Sequence, residues 1–384
     1  MKVAVLGYGT VGAGVYSMLS DAPGMEAGPV LVRPGKAVES FMVSDAALIF
    51  GDPTVDAVVE TLGGLDPAYS YGMRALEAGK HFITANKAMV AAHGLELAAL
   101  AREKGAAFLF SAACGGGVPF LHNLALSAET DRIEAVSGIL NGTTNYMLDA
   151  MQRRGLSYGD ALREAQSLGY AESDPTADVS GLDALRKMQL ACAVAFGVLP
   201  QSGMLCEGME HFTAADVEDI QSRGLVCRLM ASGSRAGESV SAYVEPVLFP
   251  RAAPESSVFT NNNMVRYTGK RCGSIVLLGQ GAGRFPTASA VLRDLSAAQQ
   301  GTRSMFPENC RAAEADNREA VHSYYIRTGG FAAVRLPLRS VLAQGEVVRA
   351  VTEPMSAEKM HALAQNIRKD GNDLFFAALE EELC

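Results

Sequence analysis

The chain has 384 residues, enough for roughly two or three domains with real cores, and at 48% hydrophobic and 20% charged it has an ordinary globular composition. A net charge of −9 argues against nonspecific binding to nucleic acid or an anionic membrane, and no stretch reaches the length needed to span a bilayer. Seven scattered cysteines without CxxC or zinc spacing fit reduced thiols in a cytosol, and six histidines without an HExxH pattern argue against a histidine-based metal site.

Lys2–Leu6 is a continuous apolar run after its first residue, as expected of a strand covered on both faces of a parallel sheet. Gly7-Tyr8-Gly9-Thr10-Val11-Gly12 follows at once and leads into the helix-compatible Ala13–Leu19. In that setting Gly7 makes a tight turn, Gly9 lets a pyrophosphate approach the backbone, and Gly12 permits close helix–strand packing. The helix N-terminus then faces the phosphates with its unpaired N–H groups. A glycine-rich turn without a ligand is the plain alternative. The opening residues also have the charged start and apolar core of a signal peptide. Their glycine spacing and the lack of a convincing cleavage site favour the first strand and helix of a cytoplasmic protein.

A second strand is expected at Pro29–Arg33. A free ribose 2′-OH usually meets an acidic residue at this strand's end. Here Arg33 and Lys36 stand there, with no carboxylate until Glu39. Two cations suit a 2′-phosphate and favour NADP over NAD, although both also fit a solvated loop. Val55–Thr61 reads as another buried strand and ends in Gly63-Gly64. Asp66-Pro67 reads as a helix start, a capping acid with proline at the first helical position, and that helix runs to about Gly79. Strand His81–Thr84 releases Ala85-Asn86-Lys87 from its carboxyl end, helix Ala88–Lys104 stops at Gly105, and strand Ala107–Phe110 leads into the Ser111–Pro119 loop.

Strands alternating with helices predict an α/β fold, a doubly wound parallel Rossmann sheet with ligands at the carboxyl ends of its strands. The glycine fingerprint, Gly63-Gly64, Lys87 and Gly115–Gly117 all follow strands, so they are expected to converge on one edge.

Beyond His122 the texture changes to a second, α+β domain. Ile133–Gly138 reads as a strand, Leu140–Asn145 as a polar turn, and Tyr146–Arg154 and Tyr158–Leu168 as helices. Gly169–Lys187, GYAESDPTADVSGLDALRK, then packs Glu172, Asp174, Asp178 and Asp183 into one short segment. On a helix Asp183 and Lys187 stand one turn apart on the same face. The plain reading is an exposed ion pair worth about 0.3–0.5 kcal/mol. The apolar run MQLACAVAFGVL that follows argues for burial, where charges are costly unless paired or used on a ligand. Ser222–Gly279 is strand-rich, with runs at Ser239–Leu248 and Ser274–Leu278, and Gly281–Asp294 is a glycine loop feeding a helix that returns to the first domain. The expected division is 1–122 plus 283–307, then 123–282, then a small α/β tail at 308–384. The tail shows one strand-like run, Ser323–Arg327, and helices near Ala357–Lys369 and Leu374–Glu382.

Taken together, GYGTVG, GKHFITANKA, CGGGVP, ILNGTTNY, GYAESDPTADVSGLDALRK and GAGRFPTASAVLRD resemble homoserine dehydrogenase over roughly residues 1–310. The resemblance implies NAD(P)-dependent interconversion of L-aspartate 4-semialdehyde and L-homoserine, on the route to threonine and methionine. It gives Lys187 the role of proton donor and acceptor at the C4 oxygen and places Lys87 by the nicotinamide and that oxygen. Glu172 and Asp183 would hold the substrate's amino end with Asp178 in support. Gly7, Gly9, Thr10, Val11, Gly12, Gly63, Gly169 and Gly283 would line the cofactor, with Arg33 read as above. Family members often carry a glutamate before the glycine loop and a valine within it, helping to bind a monovalent cation such as sodium. Ser111 and Cys114 stand at those positions here, which leaves the backbone carbonyls of Cys114, Gly116 and Val118 as its ligands. A homodimer or larger homo-oligomer through the 123–282 domain is also implied, with no nucleic-acid or membrane partner. No kinase domain precedes Met1, so the monofunctional form is expected. AVHSYYIRTGG resembles the opening of an ACT domain, but the acidic-proline-glycine ligand loop is absent; a shortened or degenerate module without threonine feedback is the expectation.

The residues agree with that chemistry. Hydride transfer to an aldehyde leaves an alkoxide, which needs a nearby cation able to release a proton, and a partly buried lysine can serve. The substrate's ammonium needs carboxylates, and one short segment supplies both. Two other readings stand beside this one. A semialdehyde dehydrogenase of the thiolate type would need Cys114 as nucleophile, yet no histidine lies near it in sequence. A nucleotide-sensing protein without catalysis would not need the Glu172, Asp183 and Lys187 set.

Overall fold

The computed structural model describes residues 1–333 and 335–380. Its chain divides into two compact units: Met1–Asp131 with Gln189–Leu199 and Gly279–Arg311, and Arg132–Met188 with Pro200–Leu278 and Ala312–Cys384.

The first unit is built on six parallel strands: β1 (Lys2–Leu6), β2 (Glu26–Leu31), β3 (Met42–Val43), β4 (Ala57–Glu60), β5 (His81–Thr84) and β6 (Phe108–Leu109). Their order is β3-β2-β1-β4-β5-β6, the order of doubly wound dinucleotide-binding sheets, which reverses between β1 and β4. Val3–Leu6 and Ala57–Val59 are fully buried, so their unbroken apolar character follows from cover on both faces. The longer connecting helices are α1 (Thr10–Leu19), α2 (Ala68–Glu77) and α3 (Lys87–Lys104), with a single turn, Ala47–Phe50, between β3 and β4. A further helix, α4 (Arg284–Gln299), lies tight against α1: a Cβ added at Gly14 would stand 2.8 Å from the Arg284 carbonyl oxygen. The start of α2 differs from expectation. Pro67 occupies the capping position itself and its carbonyl accepts from Tyr71 N, so no side chain of Asp66 caps the helix.

The second unit carries a ten-stranded sheet. Its strands are β7 (Ile133–Ile139), β8 (Leu225–Ala236), β9 (Ser239–Pro250), β10 (Asn262–Gly269), β11 (Gly273–Gln280), β12 (Tyr324–Gly329), β13 (Leu338–Ala343), β14 (Val347–Thr352) and β15 (Leu374–Leu379), with the short Leu205–Cys206 pairing beside β9. The path runs β11-β10-β7-β8-β9-β15-β12-β14-β13.

The tail therefore holds more strand than its sequence suggests. Leu374–Glu382 reads as a helix from its leucines, alanines and glutamates, yet Leu374–Leu379 is a strand; residues 381 and 382 lie outside the described ones. Tertiary pairing overrides local propensity here. β15 is antiparallel to β12 along Thr328–Tyr324 and parallel to β9 at Val247 and Leu248, and all six of its residues are buried. Apart from the two-residue strand Met355–Ser356, which pairs with Val321–His322, the elements from Tyr324 to Leu379 follow a βαββαβ succession whose first helix, Gly330–Ala333, is a single turn. Tyr324, Ile326, Ala350, Met360, Ile367 and Phe376 form the centre of its core.

Candidate active site

At the reversal between β1 and β4 the chain leaves both strands through glycine turns, and a cleft of about 990 Å³ opens there. Gly7, Gly9, Thr61, Leu62 and Gly63 line it together with Arg33, Lys36, Glu39 and Phe41. A Cβ at Gly12 would stand 2.1 Å from the Gly7 carbonyl oxygen, so only glycine lets α1 begin this close to β1. At Gly9 an added Cβ meets nothing within 4 Å, which leaves open space over the helix N-terminus. Thr10, Val11 and Gly12 form the first turn of α1, whose N–H groups have no intrahelical acceptor. A dinucleotide fits this arrangement: bare backbone for its pyrophosphate, and the exposed Arg33 and Lys36 along the same wall.

Lys87 is the first residue of α3 and half-buried. Before it, the Asn86 side chain caps the helix by accepting from Met89 N at 3.2 Å, and its Nδ2 donates to the Gly64 carbonyl at 2.6 Å. Glu60 closes the arrangement from the end of β4. Its Oε1 accepts from Leu62 N at 2.6 Å and Gly63 N at 3.1 Å, and its Oε2 from Thr84 Oγ1 at 2.5 Å.

Gly283, with φ of +130°, stands at the capping position of α4, where its carbonyl accepts from Thr287 N. In the Ser111–Pro119 loop, Cys114 is fully buried, and the Val118 carbonyl accepts from Phe120 N at 2.7 Å. The loop is tied to α4 through Asp294, which accepts from Ser111 Oγ at 2.6 Å and Ser111 N at 2.8 Å. Burial pushes the Asp294 carboxyl up to about 7, against the lowering pull of the Ser111 hydrogen bonds. An acid thus stands beside Ser111 after all, contributed by a distant helix. Among the described residues no group of three or more His, Cys, Asp and Glu side chains is placed to hold a metal.

The acidic segment of the second unit forms its own cluster. Lys187 Nζ lies 2.7 Å from Asp183 Oδ2 and donates to the Leu140 carbonyl at 2.7 Å. Asp183 is 8% and Lys187 9% exposed, so the pair is not the solvated surface bridge of the plain reading. Asn141 Nδ2 donates to both Asp178 Oδ1, at 2.7 Å, and Asp183 Oδ2, at 2.9 Å, which brings the two carboxylates together. Thr143 Oγ1 lies 3.2 Å from Asp178 Oδ2 and 2.6 Å from the Tyr170 carbonyl. Burial raises the Asp178 pKa; its hydrogen bond from Asn141 opposes this, and the Asp183 charge adds to the rise.

Two expected site residues take no part in the hydrogen bonds of these clusters. Glu172 is exposed on the loop before Thr176, where its backbone oxygen accepts from Gln166 Nε2. Gly169 terminates helix Tyr158–Ser167, its N–H bonded to the Gln166 carbonyl. Asn141, Thr143, Glu60 and Asp294 were not evident from the sequence. Leu140–Asn145 reads as a polar turn, but Asn141 caps a helix that begins at Gly142, with Oδ1 accepting from Thr144 N at 2.8 Å. A carboxylate closing an apolar strand just before Gly-Gly was the available signal for Glu60.

This chain resembles known proteins along most of its length. A family model for the NAD-binding domain of homoserine dehydrogenase matches residues 7–111, and one for homoserine dehydrogenase matches residues 119–296. The homoserine dehydrogenase of Synechocystis is 38% identical over 319 residues, covering 77% of this chain and 72% of that protein. That of Corynebacterium glutamicum is 38% identical over 314 residues, covering 76% and 70%. The crystal structure of a homoserine dehydrogenase from Thiobacillus denitrificans superposes with a TM-score of 0.88 at 29% identity, covering 99% of this chain and 98% of that one. Among the described residues no helix is long and apolar enough to cross a membrane.

Proposed function

This chain belongs to the homoserine dehydrogenase family, and from that premise we propose the part each residue of the two clusters plays. The activity is NAD(P)-dependent oxidoreduction at a CH–OH group of a small-molecule substrate, between L-aspartate 4-semialdehyde and L-homoserine, in threonine and methionine biosynthesis. Nicotinamide supplies and receives the hydride.

Lys187 gives a proton from Nζ to the C4 oxygen as negative charge develops there, and takes the hydroxyl proton in the reverse direction. The Leu140 carbonyl and Asp183 hold that nitrogen by two short contacts, which fixes its position before substrate arrives. Asp183 and Glu172 receive the substrate ammonium. Asp178, joined to Asp183 through Asn141, keeps the carboxylates in register. Lys87 contributes a second positive charge toward the reacting oxygen. Gly7, Gly9 and Gly12, with Thr10 and Val11, cradle the pyrophosphate, and Gly63, Gly169 and Gly283 complete the cofactor's surroundings.

NADP is the preferred cofactor in this reading, because Arg33 and Lys36 line the cleft and suit a 2′-phosphate. A monovalent cation would rest on the backbone oxygens of Cys114, Gly116 and Val118. A homodimer through the second unit's sheet accords with the exposed Val276 and Leu278 of β11, and a cytoplasmic location with the scattered cysteines. The buried Asp183–Lys187 pair beside a second carboxylate carries the proposal. Steady-state oxidation of L-homoserine, run with NAD and NADP in parallel on wild type and the Lys187→Ala variant, tests it. Undiminished turnover in the variant would remove Lys187 from the chemistry.

A further inference from the structure

Glu60 is a buried carboxylate that the proton-transfer chemistry does not use. It is fully buried, and burial raises its pKa against the pull of its hydrogen-bond donors. Placing such a group there is costly, and it is offset by hydrogen bonds from two backbone N–H groups and one hydroxyl. β4 and β5 are neighbours, with Glu60 opposite Thr84. Thr84 Oγ1 in turn accepts from Asn86 N at 2.9 Å, and Asn86 Nδ2 returns to the Gly64 carbonyl at 2.6 Å. The result is a closed ring of hydrogen bonds joining the exits of two adjacent strands. Leu62 and Gly63, on one side of the ring, line the cleft; Asn86, on the other, caps the helix that begins with Lys87.

We propose that Glu60 is a positioning residue for the dinucleotide, holding the Leu62–Gly64 turn in the shape that receives it and fixing the start of the Lys87 helix against that turn. The inference rests on the reading that NAD(P) occupies this cleft. It carries a second consequence: the Leu62 and Gly63 N–H groups point at Glu60 Oε1 and are spent there, so the phosphates depend on the N-terminus of α1.

The test compares Glu60→Ala, Glu60→Gln and Thr84→Val with wild type. NADPH affinity is read by fluorescence titration, KM for NADP and for L-homoserine by steady-state kinetics, and folding by thermal denaturation. Glu60→Ala is expected to weaken NADPH binding and raise the NADP KM about tenfold, with the homoserine KM unchanged within about twofold. Glu60→Gln keeps an acceptor for Leu62 and Gly63 and is expected to recover most of that loss. If the alanine variant does not fold, Thr84→Val carries the test, with a smaller loss in the same direction. A folded Glu60→Ala or Thr84→Val protein with wild-type NADPH affinity and NADP KM overturns the proposal, as does an equal rise in both KM values. Failure of wild type itself to bind NADPH would instead remove the cleft reading beneath it.

Discussion

The Asn141 amide reaches Asp183 at 2.9 Å while its carbonyl oxygen caps the helix Gly142–Arg154. One side chain therefore orders both the helix and the carboxylates beside Lys187. Asn141→Ala is expected to lower stability by about 2–4 kcal/mol, from a lost cap and lost hydrogen bonds to charged groups. The Asp178 pKa, already raised by burial, should rise further without the lowering bond from Asn141. The acid limb of the pH profile for homoserine oxidation should then move to higher pH. Denaturant titration and the pH dependence of kcat/KM check the two effects separately.

Removing the cations of the cofactor wall should change which dinucleotide is used. The double substitution Arg33→Ala with Lys36→Ala is expected to raise the NADP KM about tenfold or more while leaving that for NAD nearly unchanged. Both residues are exposed, so the melting temperature should hardly move. Parallel KM determinations with the two cofactors decide it.

Glu172 is exposed and takes no part in the hydrogen bonds that join Asp178, Asn141 and Asp183. Glu172→Gln should therefore leave stability unchanged and, if the substrate ammonium docks there, raise the homoserine KM about tenfold. An unaltered homoserine KM would assign ammonium binding to Asp183 alone.

Asp294 titrates near its ordinary 3.8 when unfolded and near 7 when buried in the fold. Between those values the folded chain holds the extra proton, so the contribution of this group to stability is fully present at the low end. It is lost as pH rises through about 7, by at most about 1.4 kcal/mol per pH unit. Asp294→Asn cannot ionise and should flatten that part of the stability–pH curve. Urea denaturation of both proteins between about pH 5 and pH 8 measures the difference in slope.

What the sequence reveals here is what acts over short range. Gly7–Gly12 is legible because strand, turn and helix follow in a few residues, and Asp183 with Lys187 because a helix fixes their spacing. The Glu60–Thr84 and Asp294–Ser111 bonds join residues 24 and 183 positions apart, and no local pattern encodes those two contacts. Asn141 was obscured by a different effect: a cap followed by Gly142-Thr143-Thr144 looks like a loop until the helix beyond it packs. The strand Leu374–Leu379 inverts the usual inference, since good helix formers are held extended by neighbours on both sides.

The central claim is that Lys187 handles the proton at the substrate's C4 oxygen, and the most direct measurement is single-turnover oxidation of L-homoserine by Lys187→Ala with NADP bound. A hundred- to ten-thousand-fold slower hydride step, about the contribution of a positioned acid–base group, is the predicted result, with NADP affinity and the fold retained. A wild-type single-turnover rate in the folded, NADP-bound variant would contradict it.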